Sequence, residues 1–89
     1  METMETMETT KILKRFIINE IAAELSLKDL DENQSLLEAG ILDSLGIMKL
    51  VAFIEAKFLL KIEDDELSPE NFETLSDISK MISKKSVSA

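Results

Sequence analysis

One apolar stripe constrains the fold of this chain more than any other feature. Downstream of residue 43, apolar side chains recur at steps of three or four residues, at Ile47, Leu50, Val51, Ile54 and Phe58. This spacing places them on one face of an α-helix, which other parts of the chain must cover. No segment alternates polar and apolar residues with the period of a β-strand. The sequence therefore predicts a fold made by packing helices together.

A helix is also predicted before this stripe, from Lys11 to about Leu27, with Thr9 or Thr10 as its cap. Its inner face is formed by apolar residues three and four positions apart, namely Leu13, Phe16, Ile17, Ile21 and Leu25.

The last helix follows Thr74, which forms a pattern resembling a capping box with Asp77. Its inner face consists of Leu75, Ile78, Met81 and Ile82. A short helical turn at Glu70–Glu73 precedes it, because Ser68 and Pro69 are typical residues for a helix start. We therefore predict an all-α bundle of three main helices plus one short helix, with a long loop between the first and second helices.

The length of the chain, 89 residues, leaves room for one hydrophobic core and hence for one domain, which we assign to residues 10–85. Residues 1–9 repeat Met-Glu-Thr three times. In one-letter code each repeat reads MET, which is the three-letter abbreviation of methionine. We interpret this segment as a disordered repeat of artificial origin. Residues 86–89 are expected to form a frayed tail.

The charge and the missing residue types exclude several functions. Eighteen acidic and ten basic residues give a net charge of −8, which repels nucleic-acid phosphates and favours partners that present Lys or Arg. Because the chain has no Cys and no His, thiolate or imidazole metal sites and the usual nucleophile–base pairs are ruled out. We therefore expect neither an enzyme nor a resident metal.

No stretch reaches the roughly 20 apolar residues that a membrane-spanning helix needs. A cytoplasmic location without membrane insertion is the resulting expectation. A monomer is expected because the sequence contains no heptad repeat of the coiled-coil type.

The loop before the second helix is followed by a serine at the predicted start of that helix. Residues 28–43 combine acids with several leucines, and long ordered loops are often functional. Gly40 is predicted to adopt a positive φ, and Asp43 to cap the helix. Ser44 would then expose its hydroxyl group away from the backbone carbonyls that compete for it inside a helix.

The segment Leu36–Phe58 resembles the attachment region of acyl and peptidyl carrier proteins, whose signature is a glycine, a short spacer and Asp-Ser-Leu at a helix start. Here these residues are Gly40, Asp43, Ser44 and Leu45. The resemblance covers residues 11–84 and implies a 4′-phosphopantetheine arm attached to Ser44, which carries an acyl group as a thioester. Asp43 and Leu45 would flank the arm.

The resemblance also implies partner enzymes. These are a phosphopantetheinyl transferase, an adenylate-forming acyl or aminoacyl ligase, and an acyltransferase or ketosynthase of fatty acid, polyketide or lipid biosynthesis. We predict a partner-binding face on the second helix, extended by one aromatic residue from the short helix, and it comprises Met48, Lys49, Ala52, Glu55 and Phe72.

Two departures from the family pattern indicate a specialised stand-alone carrier. Gly46, Lys49 and Ala56 stand where carriers of fatty-acid synthesis typically have acidic residues. The spacer between Gly40 and Ser44 is similar to that of D-alanyl carrier proteins, which commonly have Trp at the position of Phe72.

Three alternatives remain open. The cargo could be an aminoacyl group of the D-alanyl type, or the chain could be an unmodified helical adaptor that binds through Leu45, Met48 and its acidic loops. A divalent-ion site or carboxylate enzyme at residues 63–66 is the least favoured, because the sequence lacks the pattern of a calcium-binding loop.

Overall fold

The computed structural model describes residues 4–88, with side chains described for residues 8–85. Its three α-helices are α1 (Met4–Phe16), α2 (Ser44–Phe58) and α3 (Leu75–Ser88). Within the described residues no strand is present. The predicted all-α fold, with a long loop between the first two main helices, is confirmed.

In the described part of the chain, four single-turn helices accompany the main ones. A π-helical turn (Ile17–Ile21) and a 3-10 turn (Ala23–Leu25) follow α1. Two more 3-10 turns, Asp64–Glu66 and Pro69–Asn71, lie between α2 and α3. The turn Pro69–Asn71 lies one residue earlier than the short helical turn that we expected at Glu70–Glu73, and Asp64–Glu66 lies in the acidic segment 63–66. Pro69 occupies the predicted first position, but the side chain of Ser68 makes no capping hydrogen bond.

One hydrophobic core joins the three helices and the long loop. Its fully buried apolar side chains are Leu13, Ile17, Leu36, Leu50, Ile54, Phe72, Leu75 and Ile78. Met81 and Ile82 are also buried, so the whole predicted inner face of α3 is confirmed. On α2 the ring of Phe53 stacks on Phe16 of α1, with ring centroids 4.0 Å apart.

Helix α1 begins earlier than predicted. It starts at Met4, inside the segment 1–9 for which we expected disorder, whereas residues 1–3 lie outside the described residues. Thr9 and Thr10 are therefore buried within the helix and do not cap it. The Thr10 and Ser79 hydroxyl oxygens lie 2.9 Å apart in a buried hydrogen bond, which joins this part of α1 to α3.

The α-helical pattern also ends earlier, at Phe16 instead of Leu27. The backbone widens into the π-helical turn, which the Ala22 N–H closes by donating to the Ile17 carbonyl at 2.8 Å. A π-turn contains more residues than an α-turn, so the side chains that follow leave the register of α1. Ala22 then leaves the helical conformation, with φ −114° and ψ 37°, and Leu25, which we predicted on the buried face, lies in the next 3-10 turn and is 47% exposed.

Helix α3 begins at Leu75 with the predicted cap, since the Asp77 N–H donates to Thr74 Oγ1 at 3.0 Å. It continues to Ser88, so residues 86–88, which we expected to fray, are helical, and Ala89 lies outside the described residues. Across the described part of the chain, no helix has the length and apolar character needed to span a bilayer.

Candidate attachment site at the start of α2

Asp43 caps α2 as predicted. Its backbone is extended, with φ −125° and ψ −173°, and its Oδ1 accepts a hydrogen bond from the Gly46 N–H at 2.7 Å. The Asp43 carbonyl accepts from the Ile47 N–H at 2.9 Å. The capping carboxylate therefore determines where the helix starts and makes Ser44 its first residue.

Ser44 presents a free hydroxyl group at this helix start. Its side chain is exposed, and no other described residue forms a hydrogen bond with the hydroxyl group. The N–H groups of Ser44 and Leu45 have no intrahelical partner, because they belong to the first turn of α2. These N–H groups and the positive end of the helix dipole favour a phosphate ester at this position.

The long loop is held against the start of α3 by hydrogen bonds. The Leu36 N–H donates to the Glu73 carbonyl at 2.8 Å, and the Ser76 N–H donates to the Glu32 carbonyl at 3.0 Å. The Ser35 hydroxyl also donates to the Glu73 carboxylate. Apolar side chains of the loop enter the core, namely Leu30, Leu36, Ile41 and Leu42. The loop is thus an ordered part of the fold that positions the residues before Ser44.

Gly40 allows the backbone turn that leads into α2. Its φ is +74°, as predicted from the sequence, and a Cβ atom at this position would have no heavy atom within 4 Å. The glycine is therefore needed for its backbone conformation and not for lack of space. Immediately after it, the N–H groups of Ile41 and Leu42 both donate to the Leu36 carbonyl, at 2.9 and 3.1 Å.

Gly46 has a packing role that the sequence analysis missed. It is buried, and a Cβ atom there would lie 3.1 Å from Ile21 Cγ2 and 3.2 Å from Asp43 Oδ1. A larger side chain would push against the π-helical turn and against the cap. Close packing of α2 on this turn explains why glycine stands where fatty-acid carriers typically have an acid.

The structure places most of the predicted docking residues on the exposed side of α2. Leu45 and Met48 are 66% and 64% exposed, and Lys49 and Ala52 are exposed as well. Glu55 differs because it is partly buried, and its Oε2 accepts a hydrogen bond from the Ile62 N–H at 2.9 Å. Glu55 thus joins α2 to the chain that follows it.

Phe72 does not belong to this face, which corrects our prediction. Its side chain is 0% exposed and lies in the hydrophobic core. The preceding 3-10 turn directs it inward, and the Phe72 N–H closes that turn by donating to the Pro69 carbonyl at 3.1 Å. Phe72 therefore stabilises the fold and presents no side chain to a partner.

In the acidic turn at residues 63–66, the side chains of Glu63 and Glu66 are engaged in internal contacts. Glu63 and Glu66 cap each other, and the Glu66 carboxylate accepts a hydrogen bond from Lys85 Nζ at 2.6 Å. The hydrogen bonds from Lys85 and from the Glu63 N–H hold the pKa of Glu66 below its usual value. Among the residues that the structure describes, no group of three or more potential ligands is arranged to hold a metal ion. This turn therefore gives the divalent-ion alternative no support.

Comparison with known proteins decides the family. Residues 15–82 match the family described as phosphopantetheine attachment site. The chain belongs to this family. Its members are carriers and not catalysts, and they hold 4′-phosphopantetheine on a serine.

Proteins named as carriers are among the curated relatives and the solved structures that this chain resembles. The chain is 34% identical over 68 residues to a D-alanyl carrier protein of Streptococcus suis strain 98HAH33, which covers 74% of this chain and 85% of the relative. It is 25% identical to the acyl carrier protein of Thermotoga maritima, with a TM-score of 0.76 and coverage of 99% and 98%. A chain in a crystal structure of an FAD-dependent dehydrogenase is 40% identical, with a TM-score of 0.70 and coverage of 79% and 97%.

The Asp43 cap leads to a stability prediction. Replacing Asp43 with Ala removes the acceptor for the Gly46 N–H and should lower the free energy of unfolding by about 1 kcal/mol, measured by urea denaturation. Ser68→Ala is the matched control, because Ser68 also precedes a helical turn but makes no side-chain capping bond. Equal decreases in the free energy of unfolding of the two variants would contradict the capping role assigned to Asp43.

Proposed function

We propose that Ser44 carries the 4′-phosphopantetheine arm of this carrier and that an acyl or aminoacyl group travels on it as a thioester. The supporting observation is the exposed, unbonded Ser44 hydroxyl at the capped start of α2, in a chain that belongs to the phosphopantetheine attachment family. Together these meet the steric and chemical requirements for modification by another enzyme.

The residues around Ser44 suit the attached group. The free N–H groups of Ser44 and Leu45 stabilise a negatively charged phosphodiester at the helix start. Asp43 binds the Gly46 N–H through one carboxylate oxygen, which leaves the other to approach the Mg²⁺ ion of a transferase. When bound, the arm supplies the thiol that this chain, which contains no cysteine, lacks. Tethering then raises the effective concentration of the cargo at a partner enzyme.

An aminoacyl cargo of the D-alanyl type is favoured over a fatty acyl chain. Two D-alanyl carrier proteins of Streptococcus suis are 34% and 32% identical to this chain over 68 residues. In addition, Lys49 and Ala56 stand in α2 where fatty-acid carriers typically have acids, and only Glu55 remains of that pattern. Loading an amino acid onto a thiol requires an activated carboxyl group, so an adenylate-forming ligase is the proposed partner. Transfer to an acyltransferase or ketosynthase stays a prediction.

Intact mass spectrometry tests this function in two steps. After incubation with coenzyme A, Mg²⁺ and a broad-specificity phosphopantetheinyl transferase, the chain should gain the mass of one phosphopantetheine group. The product, incubated with ATP, D-alanine and the ligase that charges the Streptococcus suis relative, should then gain one alanyl group that hydroxylamine removes.

The two steps can fail separately. If a transferase that modifies a control carrier leaves this chain unchanged, the carrier function is contradicted and the adaptor alternative is favoured. If the first step succeeds but D-alanine is not attached, the arm is present and the D-alanyl cargo is wrong.

A further inference from the structure

A groove near Ser44 extends from the capped start of α2 to the turns that follow α1. It encloses about 270 Å³ between the turns that follow α1 and the first turns of α2. Leu45, the neighbour of Ser44, lines one wall, and Leu25 lines the groove from the 3-10 turn. Because Leu45 directly follows Ser44 in the chain, this wall of the groove lies next to the proposed attachment residue.

The walls of the groove expose two large aliphatic side chains. Leu25 is 47% exposed and Leu45 is 66% exposed. Leu25 lies in the 3-10 turn that follows the π-helical turn Ile17–Ile21, and π-helical turns occur frequently at functional sites. Neighbouring exposed apolar side chains that are rimmed by polar residues are typical of protein interaction sites. The apolar surface beside Ser44 thus extends beyond α2 to the end of the first helical segment.

The charges around these leucines are mainly negative. Glu20, Glu24 and Asp43 line the groove, and Lys49 is the single cation among its described lining residues. The Asp43 carboxylate is partly satisfied by the Gly46 N–H, whereas Glu20 and Glu24 are exposed. A complementary surface therefore carries an apolar side chain next to Lys or Arg.

We propose that this groove is a docking site for the phosphopantetheinyl transferase, which inserts an aliphatic side chain between Leu25 and Leu45 and places a Lys or Arg against Glu20 and Glu24. The inference rests on the proposed function, because it takes Ser44 as the residue that the transferase modifies. It adds a contact from the end of the first helical segment to the docking face predicted on α2.

Steady-state kinetics of Ser44 modification test the groove, with a transferase that modifies the wild-type chain. Leu25→Ala should raise KM for the carrier about fivefold or more, as expected for an apolar anchor of an interface. Glu24→Lys should also raise KM and make it less dependent on ionic strength, because the variant replaces an attraction with a repulsion. The value of kcat should stay unchanged, since neither substitution alters Asp43, Ser44 or the start of α2.

Two matched controls separate docking from general surface effects. Leu59→Ala removes a leucine that is 88% exposed at the opposite end of α2, and Glu70→Lys reverses an exposed acid outside the groove. Both should leave KM within about twofold of wild type. Circular dichroism and urea denaturation check that each variant is folded.

The outcomes distinguish this inference from the proposed function. If the wild-type chain is modified but Leu25→Ala and Glu24→Lys behave like their controls, the docking site is wrong and the carrier function stands. A fall in kcat without a change in KM would also overturn the docking site. The groove would then affect the chemical step and not the binding of the transferase. If no transferase modifies the wild-type chain, both proposals fail.

Discussion

Ser44→Ala is expected to abolish phosphopantetheine attachment while the fold stays intact. The substitution removes the oxygen that forms the phosphodiester, and no described residue depends on that hydroxyl group for a hydrogen bond. The Asp43 cap on the Gly46 N–H remains, and alanine is well tolerated in a helix. Intact mass after incubation with coenzyme A and transferase should show no gain, and urea denaturation should give a wild-type midpoint.

A serine outside the attachment site provides the control. Ser68→Ala alters a residue before another helical turn and should leave the mass gain unchanged. If Ser44→Ala still gains one phosphopantetheine group, the arm is attached at a different residue. If the variant instead unfolds, the hydroxyl group has a structural role that contradicts its assignment as a free attachment point.

Phe72→Ala should cause the largest loss of stability among the variants considered. Phe72 is fully buried in the core that α1, α2 and α3 share, and truncating such a ring typically costs about 3–5 kcal/mol. Small domains are often stable by only about 5 kcal/mol or little more. Urea denaturation should therefore show a large fall in the free energy of unfolding, with part of the protein unfolded even without denaturant.

Two further variants decide between a core role and a surface role for this residue. Phe72→Leu keeps most of the buried apolar volume and should lose clearly less stability than Phe72→Ala. Leu59→Ala alters an exposed leucine and should change the free energy of unfolding by less than about 0.5 kcal/mol. If Phe72→Ala lowers the free energy of unfolding as little as Leu59→Ala does, the ring is not in the core. The predicted contact of Phe72 with a partner would then be favoured again.

The fold and the immediate surroundings of Ser44 could be predicted because their signals are local in the chain. The Asp43 cap forms with Gly46, three residues away, and Thr74 caps α3 through Asp77 in the same way. The positive φ of Gly40 likewise follows from a single residue type in a turn. Attachment at Ser44, the monomeric state and the cytoplasmic location stay predictions.

By itself the sequence determined the all-α class, the buried faces of α2 and α3, and the serine at a capped helix start, because each depends on residues only a few positions apart. The tertiary structure alone decided that Phe72 is buried, that Gly46 packs on Ile21 and that the half-exposed Leu25 lines one groove with Leu45. The physical reason is that a periodicity argument assumes an unbroken α-helix, whereas the π-helical turn shifts the register after α1. Contacts between segments far apart in the chain, such as the Leu36 N–H with the Glu73 carbonyl, then determine which side chains are covered.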